Sequence, residues 1–370
     1  MNAAAPPTTS ISGRATARRI ASRRRAPRIA LVGPFAGMSA PGGGEVQLQS
    51  LAQWLPNVGV DAHLWRPWED RWDAFDALHI VGSAPEWVEL AVAARRVGKP
   101  VFVSPVAWFT LRDLWREPWP VWRHGWASLK YLSRAAWPKL PSWRRRLYDA
   151  ASLLLPNSQS EAEQLRRMFG VPREKLRVVP NGADLRFADA DPELFTRITG
   201  WRDFVLCVGR IEPRKNQLRL LQALRGLGLP IVILGDVVPR HEPYLAACQR
   251  VAGDNVLFLR RIEHQSALLA SAYAAARCLA LVSWYETPGL AALEAALSGT
   301  PLVLTGDGAC QEYFDAHARY VAPENVEAIR RAVWDAYHAP RSEALATHVR
   351  ARFTAAAVAR ATKEAYETLL

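Results

Sequence analysis

Short apolar runs alternate with segments of helical period along this chain, and the alternation begins afresh near its middle. A run of four to six apolar residues followed by a crossover of a dozen or more pairs in parallel, with helices covering both faces of the sheet. Two such series predict an α/β chain with two parallel-sheet domains. The first supplies strands at 29–33, 61–65, 77–81, 100–104, 152–156 and 176–180, and the second at 204–208, 230–234, 255–259, 278–283 and 301–305. At 370 residues, half of them apolar, the chain has enough material for two ordinary cores.

Boundaries follow from composition. Residues 1–28 hold seven arginines and no acid among Ala, Pro, Ser and Thr, so 1–27 are expected to remain a disordered basic tail. The net charge of +12 falls to about +5 without that tail, which argues against nucleic acid as a partner. The N-terminal domain is expected at 28–185. Turn-rich sequence without a clear period follows Asn181 and supplies a linker at 186–201. The second domain is expected at 202–340, and 341–370 read as helices, the last packing back across the domains. No secretory apolar segment follows the first charges, and no run reaches the length of a membrane span, so a cytoplasmic location is expected. The four cysteines stand at no metal or redox spacing and read as reduced core thiols.

One stretch interrupts the order. Residues 108–146 hold seven of the fifteen tryptophans and nine basic residues against two acidic ones. Tryptophan mixed with Arg and Lys suits an anionic membrane surface, where rings sit at head-group depth and charges meet phosphates. Rings filling core space under a long insertion would give the same composition.

Three clusters carry chemistry. A glycine-rich loop ending in Gly42, Gly43, Gly44 and Glu45 lies between the first strand and a helix expected from about Glu45, and glycines let backbone approach a phosphate. The dinucleotide fingerprint is absent there, which argues against a nicotinamide dehydrogenase. In Val208-Gly-Arg-Ile-Glu-Pro-Arg-Lys-Asn216, Arg210 and Lys215 could hold one anion from two sides after the first strand of the second domain, with Arg214 expected to point elsewhere. In Ser283-Trp-Tyr-Glu-Thr-Pro-Gly-Leu-Ala-Ala-Leu-Glu294, a strand leads to Glu286, to a helix expected to start near Thr287 as cap and Pro288, and to Glu294 eight residues on. Backbone donors and the helix dipole at Gly289 and Leu290 favour an anion.

These clusters together resemble the retaining glycosyltransferases of the GT-B fold that carry a Glu-x7-Glu signature. Gly42-Gly-Gly-Glu45, Pro156-Asn-Ser158 and Val179-Pro-Asn-Gly-Ala-Asp184 support the match. The resemblance implies two Rossmann-like domains facing across a cleft. It implies a retaining, metal-independent hexosyltransferase that moves a sugar from a nucleoside-diphosphate sugar to a glycan or lipid-linked acceptor in surface polysaccharide assembly; the composition of 108–146 and of the basic tail adds the expectation of a place at the inner face of the membrane. It makes Arg210 and Lys215 a diphosphate clamp, sets Glu286 on hydroxyls of the donor sugar and Glu294 on the ribose, and brings Gly43, Gly44, Gly289 and Leu290 to the phosphates. No cofactor and no metal site are expected; Asp189-Ala-Asp191 is set aside because it follows no strand. Two positions depart from the family. Val106 stands where many members carry a histidine; His124 is read either as a substitute for it or, preferably, as a surface histidine of the insertion, and Arg260 and Arg261 replace an expected glycine. The missing histidine keeps open the alternative of a non-catalytic GT-B scaffold protein. Glu312 opens a further helix and is read either as lining the donor cleft or as a favourable first-turn charge.

Overall fold

The computed structural model describes residues 25–33, 42–116 and 120–370. Nearly all of the expected basic tail, the first part of the glycine-rich loop and Trp119 lie outside the described residues. The N-terminal unit runs β1 (Arg28–Val32), α1 (Gly43–Trp54), β2 (Asp61–Leu64), β3 (Ala77–Val81), α2 (Trp87–Arg96), β4 (Val101–Ser104), α3 (Leu111–Arg116), α4 (Val121–Ala136), α5 (Trp143–Ala150), β5 (Leu153–Leu154) and α6 (Gln159–Phe169). The second unit runs α7 (Pro192–Thr199), β6 (Phe204–Val208), α8 (Gln217–Leu224), β7 (Ile231–Leu234), α9 (Glu242–Val251), β8 (Val256–Leu259), α10 (Ala267–Ala275), β9 (Ala276–Leu281), α11 (Leu290–Leu297), β10 (Leu302–Thr305), α12 (Cys310–Phe314), β11 (Arg319–Val321) and α13 (Val326–His338). Two helices close the chain, α14 (Glu343–Arg352) and α15 (Ala355–Glu367).

Both sheets are parallel, with orders β2-β1-β3-β4-β5 and β11-β10-β9-β6-β7-β8. In such sheets ligands gather beyond the strand carboxyl ends where the winding reverses, between β1 and β3 in the first and between β6 and β9 in the second. The strands read as continuous apolar runs because each sheet is covered on both faces. Ala30, Val32, Ile80 and Val103 face one core, while Ile29, Leu31, Val81 and Phe102 face another. Phe204, Leu206, Leu279 and Leu281 alternate in the same way with Val205, Cys207, Cys278 and Ala280. All four cysteines are buried free thiols.

The structure corrects several local expectations. Residues 176–180 form no strand; Leu176 makes one parallel bridge to Leu154, because β5 offers only two residues to pair with. The stretch read as a linker contains α7, whose Phe195 is fully buried in the core of the second unit. The edge strand β11 was not expected, being three residues long with an exposed arginine. Phe353 and Thr354 divide the C-terminal helices, so that α14 buries Leu345 and Val349 in the second unit while α15 buries Val358, Ala359 and Tyr366 against the first. Tyr366 is hydrogen-bonded at 2.6 Å to His79 Nδ1, and His79 Nε2 lies 2.9 Å from Ser104 Oγ. Burial pushes the His79 imidazole down to about 3, so it is neutral at ordinary pH.

The chain crosses between units twice at one place. Ala183 N–H donates to Phe353 O and Ala355 N–H to Ala183 O, each at 2.9 Å. Gly182 permits the approach, since a Cβ there would stand 2.7 Å from the backbone carbonyl carbon and oxygen of Thr354. Gly182→Ala is therefore expected to destabilise the protein by about 1–3 kcal/mol in urea unfolding, the usual cost of overpacking a close contact; an unchanged midpoint would show that the two crossings can separate freely.

Candidate active site

The winding reversal of the second sheet sets two loops side by side, one after β6 and one after β9. The β6 loop presents Arg210 and Lys215, and the β9 loop presents Glu286. Lys215 Nζ lies 2.5 Å from Glu286 Oε1, and Ser283 Oγ donates to the same oxygen at 2.6 Å. Burial alone would raise the Glu286 carboxyl, but Lys215 and then Arg214 outweigh it and hold the group below the usual carboxylate range. Arg214 turns away as expected, into the protein. Its guanidinium binds Glu212 at 3.0 Å and the Tyr285 carbonyl at 3.4 Å, while its own carbonyl accepts from Trp284 N–H. Asn216 ties the loops together by donating to Val282 O and Pro323 O.

The helix after Glu286 begins later than the sequence suggested. Its N-cap is Gly289 at φ 86°, a conformation that favours glycine, and Thr287 caps nothing. The first turn of α11 faces the first turn of α1 across the interdomain cleft. A Cβ on Gly43 would stand 3.6 Å from Leu290 Cδ1, and one on Gly42 would stand 3.8 Å from Arg210 Cζ. Gly44 follows in the same turn of α1, whose cap is closed by Glu45 accepting from Gly42 N–H at 2.6 Å. All three sequence clusters thus converge, with two helix N-termini and two cations bordering one gap. Such a place favours an anion.

Glu294 lines a crevice on the same side with Ser50, Asn181, His264 and Leu290. Both of its oxygens have partners that the sequence reading missed: His264 Nε2 at 2.7 Å and Tyr273 OH at 2.6 Å. Arg186 approaches His264 Nδ1 at 3.1 Å. Since arginine can only donate, Nδ1 accepts and Nε2–H points at Glu294. These partners lie 30 and 21 residues from Glu294, at no recognisable spacing.

Across the cleft, Val106 follows β4 with φ 49°, a strained conformation for a β-branched residue. The loop is held by Glu161, which accepts from Ala107 N–H at 2.6 Å and Asn157 N–H at 2.7 Å. His124 is buried, not at the surface as expected: it stacks on Trp115 at 4.9 Å and approaches Leu114 O through Nδ1. Asp191 caps α7 by accepting from Glu193 N–H. Arg260 is exposed beside Asp236. Glu312 stands in the first turn of α12, as the second reading has it, and its carboxylate also reaches the other unit, accepting from Gln159 and Ser160 N–H at the start of α6. Tyr313 spans the units too, donating to Asn157 O at 2.6 Å and accepting from Asn181 N–H at 2.8 Å.

Comparison with known proteins adds to this geometry. Residues 196–355 match the family described as Glycosyl transferases group 1, and residues 41–187 match Glycosyltransferase Family 4. The chain is 34% identical over 227 residues to D-inositol 3-phosphate glycosyltransferase of Corynebacterium jeikeium, covering 55% of this chain and 54% of that protein. It is 32% identical over 210 residues to the D-rhamnosyltransferase WbpZ of Pseudomonas aeruginosa, covering 54% and 52%. It thus spans about half the length of the curated relatives it matches. In structure it is similar to sucrose-phosphate synthase from Thermosynechococcus elongatus, with TM-score 0.72 at 17% identity over 93% of this chain and 99% of that one. HepE from Anabaena, in complex with UDP-glucose, gives 0.70 at 16% identity over 93% and 100%.

Burial pushes the Glu161 carboxyl up to about 7 from its ordinary 4.5, against the pull of the two amides. The folded chain therefore keeps a proton that the unfolded chain has released between those values, so stability should fall as pH rises from 4.5 to about 7 and level off above. Unfolding midpoints measured from pH 5 to 8 should show this slope, reduced in Glu161→Gln; parallel profiles for the two proteins would contradict the assignment.

Proposed function

The chain belongs to the glycosyl transferases group 1 and has the GT-B fold, and on that premise we propose that it transfers a sugar, with retention, from a nucleoside-diphosphate sugar to a glycan or lipid-linked glycan acceptor. The convergence of Gly42, Gly43, Arg210, Lys215, Glu286 and Leu290 on one gap carries the reading. Arg210 and Lys215 take the diphosphate, with backbone donors of α1 and α11 beside them. The two cations supply the charge that a divalent ion would otherwise bring, and the reaction runs without metal. Glu286 receives hydroxyls of the transferred sugar and Glu294 the ribose. Relatives named D-inositol 3-phosphate glycosyltransferase and D-rhamnosyltransferase support glycosyl transfer, and the HepE complex with UDP-glucose supports a nucleotide-sugar donor. A non-catalytic scaffold is the competing reading, favoured by Val106 in place of histidine.

We place the reaction in surface polysaccharide assembly at the cytoplasmic face of a membrane. Among the described residues no helix is long and apolar enough to cross one. Support for peripheral contact comes from α4, which turns Trp122, Trp126, Leu129 and Leu132 to solvent at helical spacing, with Trp137 just beyond. These tryptophans are 71%, 67% and 66% exposed. Lys130 and Lys139 are exposed beside them, and residues 120–148 contain no acid. An apolar helix face rimmed by lysine suits anionic lipid.

Incubation with a panel of UDP-, GDP-, dTDP- and ADP-sugars should reveal turnover of at least one donor that is unaffected by EDTA, with Arg210→Ala and Lys215→Ala each lowering kcat about 100-fold, the typical loss of one charge-stabilising donor. Absence of turnover across the panel, with acceptor extracts supplied, would support the scaffold reading. Separately, Trp122→Ser with Trp126→Ser should reduce sedimentation with phosphatidylglycerol vesicles about tenfold, and full retention of binding would remove α4 as the contact.

A further inference from the structure

The arginines of the insertion do not all belong with its exposed apolar face. Arg116 has a side chain only 10% exposed and points into the second unit. Its Nη1 donates to the Trp284 carbonyl at 2.8 Å and to Asp113 at 3.0 Å, and its Nη2 donates to Asp307 at 2.8 Å and Glu324 at 3.0 Å. The guanidinium also lies 4.9 Å from the Trp284 ring centroid. Arg112 stands on the outer side of the same cluster, more than half exposed, bonding Asp307 and Glu324 without touching Trp284.

What Arg116 grips is the segment that carries Glu286. Trp284 N–H and the Tyr285 carbonyl are held by Arg214 from within the second unit. Glu286 N–H donates to the carbonyl of Asp307, and Glu286 O accepts from Ala309 N–H. The Trp284 carbonyl is held by Arg116 from the opposite unit, and the Asp307 side chain by Arg116 together with Arg112. Trp108 stacks on Tyr285 at 6.4 Å, and Asn157 donates to the Thr287 carbonyl at 3.4 Å. Trp284, Tyr285 and Thr287 are therefore contacted from across the cleft, and Glu286 between them is backed by Asp307, whose side chain is held from there.

From this geometry we infer that Arg116 is a positioning residue that completes the donor-sugar site from the opposite domain, fixing the Trp284 and Asp307 backbone on which the Glu286 carboxylate is registered. The inference rests on the reading of Glu286 as a contact to the transferred sugar. Arg210 and Lys215 have no bond to Arg116, so its loss removes no direct contact of the diphosphate clamp. The insertion then has two sides. One helix, α3, joins α4 through the Trp115–His124 stack and the Trp115 Nε1–H donated to Ser128 Oγ at 3.0 Å, and with its other side sets the Glu286 loop.

The test uses the full chain and whichever sugar nucleotide of the panel the wild type turns over. In Arg116→Met, kcat should fall about 30-fold, in keeping with the cost of a small misplacement at a reacting centre. The Kd of the matching nucleoside diphosphate should stay within about twofold. Arg116→Lys, which keeps the charge but loses the fork, should recover kcat to within about fivefold of wild type. Arg112→Ala should change kcat by no more than about twofold. A kcat unchanged in Arg116→Met overturns the inference, as does an equal fall in Arg112→Ala, which would mean simple docking of the domains. Parallel losses of kcat, nucleoside diphosphate affinity and melting temperature would overturn it too. Failure of the wild type to turn over any donor would instead defeat the reading of Glu286, independently of these comparisons.

Discussion

Lys215 and Glu286 meet because β6 and β9 are neighbours whose following helices leave on opposite faces of the sheet. Winding in both directions from one strand pair leaves a gap at its carboxyl end that neither crossover fills. The chain sets a cation on one loop and a carboxylate on the other. Buried as it is, the pair is held by more than mutual attraction, since Ser283 shares the carboxylate oxygen and Arg214 adds charge from behind. A buried ion pair of this kind adds little stability compared with apolar packing. Its value is registry: it fixes where a carboxylate and an ammonium stand relative to two helix N-termini.

The two units are joined by contacts of different character. Around the chain crossings, Ala183, Phe353 and Ala355 make backbone bonds, and α15 buries Ala359 and Tyr366 against the first sheet; this seam is largely apolar. Toward the cleft the contacts become polar: Glu312 on the α6 amides, Tyr313 between Asn157 and Asn181, and Arg112 and Arg116 on Asp307 and Glu324. Water can substitute for polar contacts at modest cost, so the cleft side is held less tightly than the apolar seam.

Most of the fold was legible in the sequence because its strands are buried on both faces and therefore read as unbroken apolar runs. Legibility failed where that condition failed. The edge strand β11 carries an exposed Arg319 and pairs on one side only, while α7 lay hidden in turn-rich sequence although Phe195 anchors it in the core. The candidate site divides in the same way. Arg210, Lys215, Glu286, Gly289 and Leu290 could be named because each belongs to a strand, loop and helix contiguous in sequence. His264 and Tyr273 could not, because they reach Glu294 only through the fold. Thr287 and Pro288 had the residue types of a helix start, yet α11 begins at Leu290, since the loop must first turn Glu286 back toward Lys215 and Gly289 then supplies the required φ.

The insertion shows how composition can suggest one surface where geometry makes two. Its tryptophans and arginines, read together, describe a membrane-facing patch, but the fold sorts them. Trp108 packs on Tyr285 and Trp143 lies beneath Arg144, whereas Trp122, Trp126 and Trp137 face solvent. Arg112 and Arg116 are spent on the second unit, and Arg145 and Arg146 on Asp149 and Glu89. Positive charge on the outer face is therefore less than the sequence count implies, and the apolar stripe of α4 becomes its main feature. Large apolar patches are uncommon on proteins that work alone in water, so this stripe asks for a partner surface that accepts indole rings and leucines more than one that counts charges. The same helix α3 that packs against α4 through Trp115 also carries Arg116 onto the Trp284 carbonyl, so the stripe and the loop of Glu286 share one element.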